Sequence, residues 1–211
     1  MRWDEYKEHV KKALDSFEFD DEILGILKNS IKNNQTIFVG GNGGSAAIAS
    51  HYVCDLSKGA NKDWKANFNR YRAICLSSNL GYITAISNDE HYDEVFKQQL
   101  INLAKPNDIL ILISSSGNSP NIVKAAEYAK NIGMVVIGIS GFKGGKLKEI
   151  AHHTAYVNHD KYEVCENIHD IFGQFLSAYL KDSASEEASA DELSAAQQPS
   201  IVMSAGRKKK K

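Results

Sequence analysis

Five short apolar runs, each rich in β-branched residues and each followed by a segment long enough for a helix, limit what this chain can fold into more than any other feature. The runs are TIFVG from Thr36, RAICLS from Arg72, DILILIS from Asp108, MVVIGIS from Met134 and TAYVN from Thr154. The helix-length segments are Ser45 to Ser57, Tyr92 to Ala104, Pro120 to Asn131, Lys143 to Ala151 and Tyr162 to Lys181. Strands that are apolar on both faces and alternate with helices predict a parallel sheet covered on both sides, a three-layer α/β fold. Ahead of them, DEYKEHVKKALDSF and DDEILGILKNSIKNN space apolar residues by three and four behind aspartates, as amphipathic helices do.

A length of 211 residues, 43% apolar, is enough for one such domain with a real core. A formal charge of −1 gives no basic surface for nucleic acid. No apolar run approaches the roughly 20 residues of a membrane span, and the opening MRWDEYKEHVKK is too charged for a signal peptide, so a cytoplasmic location is expected. Cys54, Cys75 and Cys165 are odd in number and far apart, which predicts reduced, mostly buried thiols rather than disulfides or a cysteine zinc site. From Ser183 the sequence turns Ser/Ala/Glu-rich and ends in RKKKK. Residues 1–182 are therefore expected to form a single domain with an N-terminal helical arm, and 183–211 a disordered, solubilising tail.

In a parallel sheet of this kind ligands gather where strands lead into helices. Three such loops carry the chemistry: GGNGGS after the first run, SSSGNSP after the third and SGFKGGK after the fourth. The first contains G-x-G-x-x-A from Gly41 to Ala46, but no acidic residue ends the next strand as a nicotinamide site requires, and no Gly-Lys-Ser/Thr follows as a nucleotide triphosphate loop requires. The region that would hold the acid is the irregular polar stretch ANKDWKANFNRY. The second loop offers the hydroxyls of Ser114, Ser115, Ser116 and Ser119, with Gly117 to turn the backbone, Ser119 as natural N-cap and Pro120 at the first helical position. Hydroxyls and free N–H groups at a helix N-terminus cradle a phosphate; the same turn can also cap a helix and bind nothing. Two Gly/Ser loops on neighbouring strand ends favour a phosphorylated small molecule.

His51 and Asp55 stand four apart, on one helical face, as two metal ligands, as a ligand and a base, or as a surface salt bridge. Glu166, His169 and Gln174 make a second polar series in the apolar last helix. Glu166 and Gln174 lie about 80° apart in azimuth, so both can border one cavity, while the alternative is a polar stripe or an oligomer interface.

Taken together, VGGNGGSAAIASHYVCD, SND, ISSSGNSPNIVKA, GFKGG and the closing ENIH helix resemble the sugar isomerase (SIS) domain, and within it the sedoheptulose 7-phosphate isomerases, over about Met1 to Lys181. The resemblance implies a five-stranded parallel sheet of flavodoxin-like topology, a homotetramer with sites between subunits, and one zinc ion per subunit. It implies substrate binding by Asn42, Gly43, Ser45, Asp89, Ser114, Ser115, Ser116 and Ser119. It also implies metal binding at His51, Asp55, Glu166 and Gln174, with catalysis at Asp55 and Gln174; His169, on the same helix, is a candidate substitute acid. The chain departs from the family's pattern at four places: Asp55 for a glutamate, Glu166 for a glutamine, Gln174 for an acid/base histidine and Gly59 for an arginine. An amide cannot exchange a proton near neutral pH, although its oxygen can bind a metal. The expected activity is aldose–ketose isomerisation of sedoheptulose 7-phosphate to D-glycero-D-manno-heptose 7-phosphate, a precursor of surface polysaccharide. The alternative is a non-catalytic SIS-type module that binds phosphosugars or protein partners.

Overall fold

The computed structural model describes residues 1–61 and 70–196, with side chains as far as residue 184. Its elements in chain order are α1 (Trp3–Asp15), β1 (Phe17–Phe19), α2 (Glu22–Asn29), β2 (Thr36–Gly41), α3 (Gly44–Cys54), β3 (Arg72–Cys75), α4 (Leu80–Asp89), α5 (Val95–Leu103), β4 (Ile109–Ser114), α6 (Pro120–Asn131), β5 (Val135–Ser140), α7 (Gly145–Ile150), β6 (His153–Val157) and α8 (Tyr162–Ala196). All five expected strands are present. They run parallel in the order β3-β2-β4-β5-β6, the flavodoxin-like order, which reverses between β2 and β4.

The two apolar faces of these strands build two halves of the core. Ile37, Val39, Ile109, Ile111, Ile113, Ile137 and Ile139 face one side, against Tyr52 of α3 and Phe172 and Leu176 of α8. Their even-numbered neighbours Phe38, Leu110, Leu112 and Val136 face the other, against Phe96 and Leu100 of α5 and Ile122 and Ala125 of α6. Each such fully buried side chain contributes about 1.5–3 kcal/mol relative to exposure.

Four details depart from the sequence reading. The sheet has six strands rather than five, because β1 pairs antiparallel with β6, Phe17 opposite Val157. Phe17 and Phe19 stack against Phe172 at ring-centroid distances of 5.1 and 5.0 Å, while Glu18 points out, so three residues suffice to close that edge. Helix α4, not among the expected helices, has no fully buried residue and meets the core through the partly buried Ile83 and Ile86, a face too narrow to reveal it. Cys54 is exposed and Cys75 half-buried; of the three free thiols only Cys165 is buried. Finally, the helix expected to end at Lys181 continues as α8 to Ala196, past the expected start of the tail, whose residues 197–211 lie outside the described set. The polar stretch 62–69 also lies outside it.

Candidate active site

The order reversal between β2 and β4 places the first two Gly/Ser loops side by side. In the first, Gly43 has φ +55°, and a Cβ on Gly41 would lie 2.5 Å from the Ser45 carbonyl oxygen, so the turn into α3 requires glycine at both. Ser77 holds the turn, accepting from the Gly41 N–H at 3.0 Å and donating to its carbonyl at 2.8 Å. Helix α3 has no side-chain cap. Its first turn, with Ser45, therefore keeps N–H groups available to an anion.

In the second loop Gly117 has φ +65°, and its N–H donates to Ser114 Oγ at 3.2 Å. The Asn118 N–H donates to Ser116 Oγ at 3.3 Å. Ser115 Oγ is buried without a partner. The third loop braces the second: Leu147 N–H donates to the Gly117 carbonyl at 2.9 Å and Lys146 N–H to Asn118 Oδ1 at 3.0 Å. Ser119 is the N-cap of α6 with Pro120 after it, as expected, but its hydroxyl makes no cap hydrogen bond. Ser119→Ala is thus expected to change stability by no more than about 0.5 kcal/mol instead of the ~1 kcal/mol of a working cap. Binding of a sugar phosphate, followed by calorimetry, should weaken about tenfold; undiminished binding would remove Ser119 from the cradle.

Asn42, which the resemblance places at the substrate, is tied to two other side chains. Its amide donates to Asn121 Oδ1 at 2.9 Å and accepts from Asn121 Nδ2 at 2.8 Å and from the Tyr92 hydroxyl at 2.9 Å. It therefore clamps the first loop to the start of α6. Asn121, 2% exposed, and Tyr92 were invisible to sequence reasoning because neither lies in a glycine loop. Asp89 ends α4, exposed, and accepts from Asn88 Nδ2 at 2.8 Å; no other candidate residue is bonded to it among those described.

At the far end of α3 the helix widens into a π turn, Asp55–Gly59. Such turns recur at functional positions. His51 Nε2 and Asp55 Oδ2 are 3.6 Å apart, and Gln174 of α8 meets both, its amide nitrogen 3.0 Å from His51 Nε2 and 2.6 Å from Asp55 Oδ2. The other ring nitrogen, Nδ1, lies 2.8 Å from Asp170 Oδ1. A close approach of the helices makes this possible: Gly173 packs on Tyr52, whose hydroxyl donates to the His169 carbonyl. Beside the cluster opens a cavity of about 340 Å³ lined by Gly44, Ala47, Ile48, His51, Glu166, Asn167 and Asp170. Burial, with Glu163 nearby, pushes the Glu166 carboxyl above its ordinary range.

Glu166 borders this cavity without joining the cluster. Among the described residues, a group of three His, Cys, Asp or Glu side chains whose ligating atoms all lie within 4.8 Å of one another is formed instead by Asp20, Glu22 and His153, at the amino end of β6. His169 is 0% exposed, with no hydrogen-bond partner on either ring nitrogen, and burial lowers its pKa to about 4 despite an opposing influence from the Ser140 backbone. It is sealed from the cavity, so the substitute-acid role finds no support in its position. Asp170 is the member the sequence reading missed. Residues 166, 170 and 174 follow a strict four-residue spacing along α8, and that spacing was the available signal.

The SIS domain family matches residues 5–141. A probable phosphoheptose isomerase from Thermoplasma acidophilum is 40% identical over 152 residues, 71% of this chain and 81% of that protein. The phosphoheptose isomerase of Helicobacter pylori strain P12 is 36% identical over 165 residues, 78% of this chain and 84% of that protein. Among solved structures, a phosphoheptose isomerase from Neisseria gonorrhoeae matches with a TM-score of 0.73 and 25% identity, covering 84% of this chain and 95% of that one. One from Francisella tularensis matches with 0.71 and 26%, covering 76% and 84%. With the family spanning more than half the chain and relatives this similar, the chain belongs to the SIS domain family and, within it, to the phosphoheptose isomerases.

Proposed function

We propose that the protein interconverts sedoheptulose 7-phosphate and D-glycero-D-manno-heptose 7-phosphate, an aldose–ketose isomerisation that supplies heptose for surface polysaccharide. The observation that carries the reading is the meeting of His51, Asp55 and Gln174 from two helices next to a cavity, in a domain whose Gly/Ser loops share the same edge of the sheet. From the ketose, a base removes a proton from C1 to give an enediolate; a proton is returned to C2, and the hydroxyl proton of O1 passes to O2. Asp55 is the base. Gln174 donates to Asp55 Oδ2 and fixes the carboxylate, but it cannot carry a proton. Glu166, on the cavity wall with a raised pKa, is the titratable group suited to the oxygen-to-oxygen transfer. The serine loops hold the phosphate.

The donor set also suits zinc, one ion per subunit. Zinc ligands at about 2.0–2.1 Å stand roughly 3.3 Å from one another, and the three separations among His51, Asp55 and Gln174 run from 2.6 to 3.6 Å. Turning the Gln174 amide over offers its oxygen as the third ligand, the usual ambiguity of an amide. When bound there, zinc supplies an electrophile for the substrate's oxygens. Assembly into a homotetramer fits the exposed Trp3, Ile171 and Phe175 on α1 and α8. Among the described residues no helix is long and apolar enough to cross a membrane, which accords with a cytoplasmic enzyme. A single domain over 1–182 followed by a tail remains our division of the chain.

Turnover of sedoheptulose 7-phosphate with zinc present, measured against a panel of ketose and aldose phosphates, tests the reading. No turnover with intact sugar phosphate binding would overturn it. Gln174→His, which restores a titratable group beside Asp55, is expected to raise kcat about tenfold or more. A fall in kcat would mean that the amide is itself required.

A further inference from the structure

We infer that Asp170 is a positioning residue that selects the tautomer of His51 and thereby keeps its Nε2 lone pair directed into the active site. The inference rests on the proposed function for its consequence, and on hydrogen-bond chemistry for its substance. His51, in the last turn of α3, has both ring nitrogens engaged: Nδ1 with Asp170 Oδ1 at 2.8 Å, Nε2 with the Gln174 amide at 3.0 Å. For a neutral ring, two arrangements of the contact with Gln174 exist. In one, Nδ1 carries the hydrogen, and the Gln174 NH₂ group donates one hydrogen to Nε2 and one to Asp55 Oδ2. In the other, Nε2 carries the hydrogen and Gln174 is turned over to accept it, which leaves Asp55 without the Gln174 donor and Nε2 without a lone pair.

Gln174 fits either arrangement, because an amide presents a donor on one side and an acceptor on the other. An ionised carboxylate accepts only. Asp170, with 41% of its side chain exposed and so well hydrated, is therefore the member of the chain that breaks the tie, placing the hydrogen on Nδ1. Its negative charge is felt nearby: after burial it is the next cause that pushes the Tyr52 phenol well above its ordinary pKa. A carboxylate behind a histidine fixes both ring orientation and the basicity of the outward nitrogen, and the loss of such partners lowers metal affinity by about 10- to 100-fold. Among the described residues Asp170 makes no hydrogen bond to Asp55 or Gln174; its side-chain hydrogen bond is to His51.

The test uses the full-length ¹⁵N-labelled protein without metal at neutral pH. Long-range ¹H–¹⁵N correlation distinguishes the two imidazole tautomers, and His51→Gln identifies the His51 signals. The wild type should show Nδ1 protonated and Nε2 bare; an Nε2-protonated His51 overturns the inference with no variant needed. In Asp170→Asn, whose amide can face Nδ1 with either atom, the bias should disappear and the Nε2-protonated form become populated. Zinc affinity, from competition with a chromophoric chelator, should fall about 10- to 100-fold. Asp170→Glu, which restores an acceptor-only group, should return both readouts toward the wild type. An unchanged tautomer in Asp170→Asn refutes the inference. A wild type that shows the expected tautomer, lost in Asp170→Asn, but fails to turn over heptose phosphate refutes the proposed function and leaves the role of Asp170 standing.

Discussion

Asp55→Asn is expected to lower kcat by at least about a thousandfold, a loss of roughly 4 kcal/mol in transition-state stabilisation. The substitution preserves shape: asparagine can still accept the Gln174 hydrogen bond now made at 2.6 Å. What disappears is the lone group of the His51–Asp55–Gln174 cluster that is both basic and anionic, since Gln174 cannot take a proton and His51 is held from behind by Asp170. The phosphate cradle proposed above would sit at the other end of α3 and on the loop before α6, so the affinity for a sugar phosphate should change little. Incorporation of solvent deuterium at C1 is the direct readout. Exchange at more than a tenth of the wild-type rate would place the base elsewhere.

Gly173→Ala is expected to cost about 2 kcal/mol of stability and at least a hundredfold in kcat/KM. Helix propensity argues the opposite sign, because alanine is favoured over glycine in a helix interior by about 1 kcal/mol. Sterics win at this position. A Cβ on Gly173 would lie 1.9 Å from a ring carbon of Tyr52, which is 3% exposed and bonded through its hydroxyl to the His169 carbonyl. The ring cannot swing away, so α3 and α8 must separate, and overpacking of this kind costs about 1–3 kcal/mol. That separation moves Gln174, the next residue on α8, away from His51 and Asp55, and misplacement by about 1 Å can cost a hundredfold in rate. For a chain of this size the stability loss corresponds to a Tm lower by roughly 4–8 °C. A more stable variant with full activity would show that the helices have room to spare.

The three central strands β2, β4 and β5 were legible because each is an apolar run buried on both faces, a pattern that few other structures need, whereas β3 and β6, part-exposed, were legible from their β-branched and aromatic residues and their place between helices. The Gly/Ser loops were legible for a related reason: Gly43 and Gly117 occupy backbone conformations that other residues resist. Individual side-chain roles were less legible. His169 was grouped with Glu166 and Gln174 by residue type, but at 100° per residue it lies about 60° to one side of Glu166, whereas Asp170 and Gln174 lie about 40° and 80° to the other. That arc divides the wall of the cavity from the core, where His169 is buried. Asn42 was assigned to substrate by its loop, and what it bonds to, Asn121, lies 79 residues away, beyond the reach of any local pattern. Glu166 was expected among the ligands, and the helical rise carries it past the point where His51, Asp55 and Gln174 meet.

The antiparallel strand β1 has a bearing on how the molecule is made. Its partner β6 emerges from the ribosome about 140 residues later, as the pairing of Phe17 with Val157 requires. Until then Phe17 and Phe19 have neither their ladder nor Phe172 to cover them, while the central strands can already pair with one another. Of the described strands, the earliest in the sequence is thus among the last to be seated, and a contact so distant in sequence is slow to form. The nascent chain carries two uncovered phenylalanines in β1, and a sheet that has assembled without them presents the open edge of β6 to other chains. Closure of that edge is a late step in biogenesis, and it depends on the N-terminal arm having been kept from other partners in the meantime.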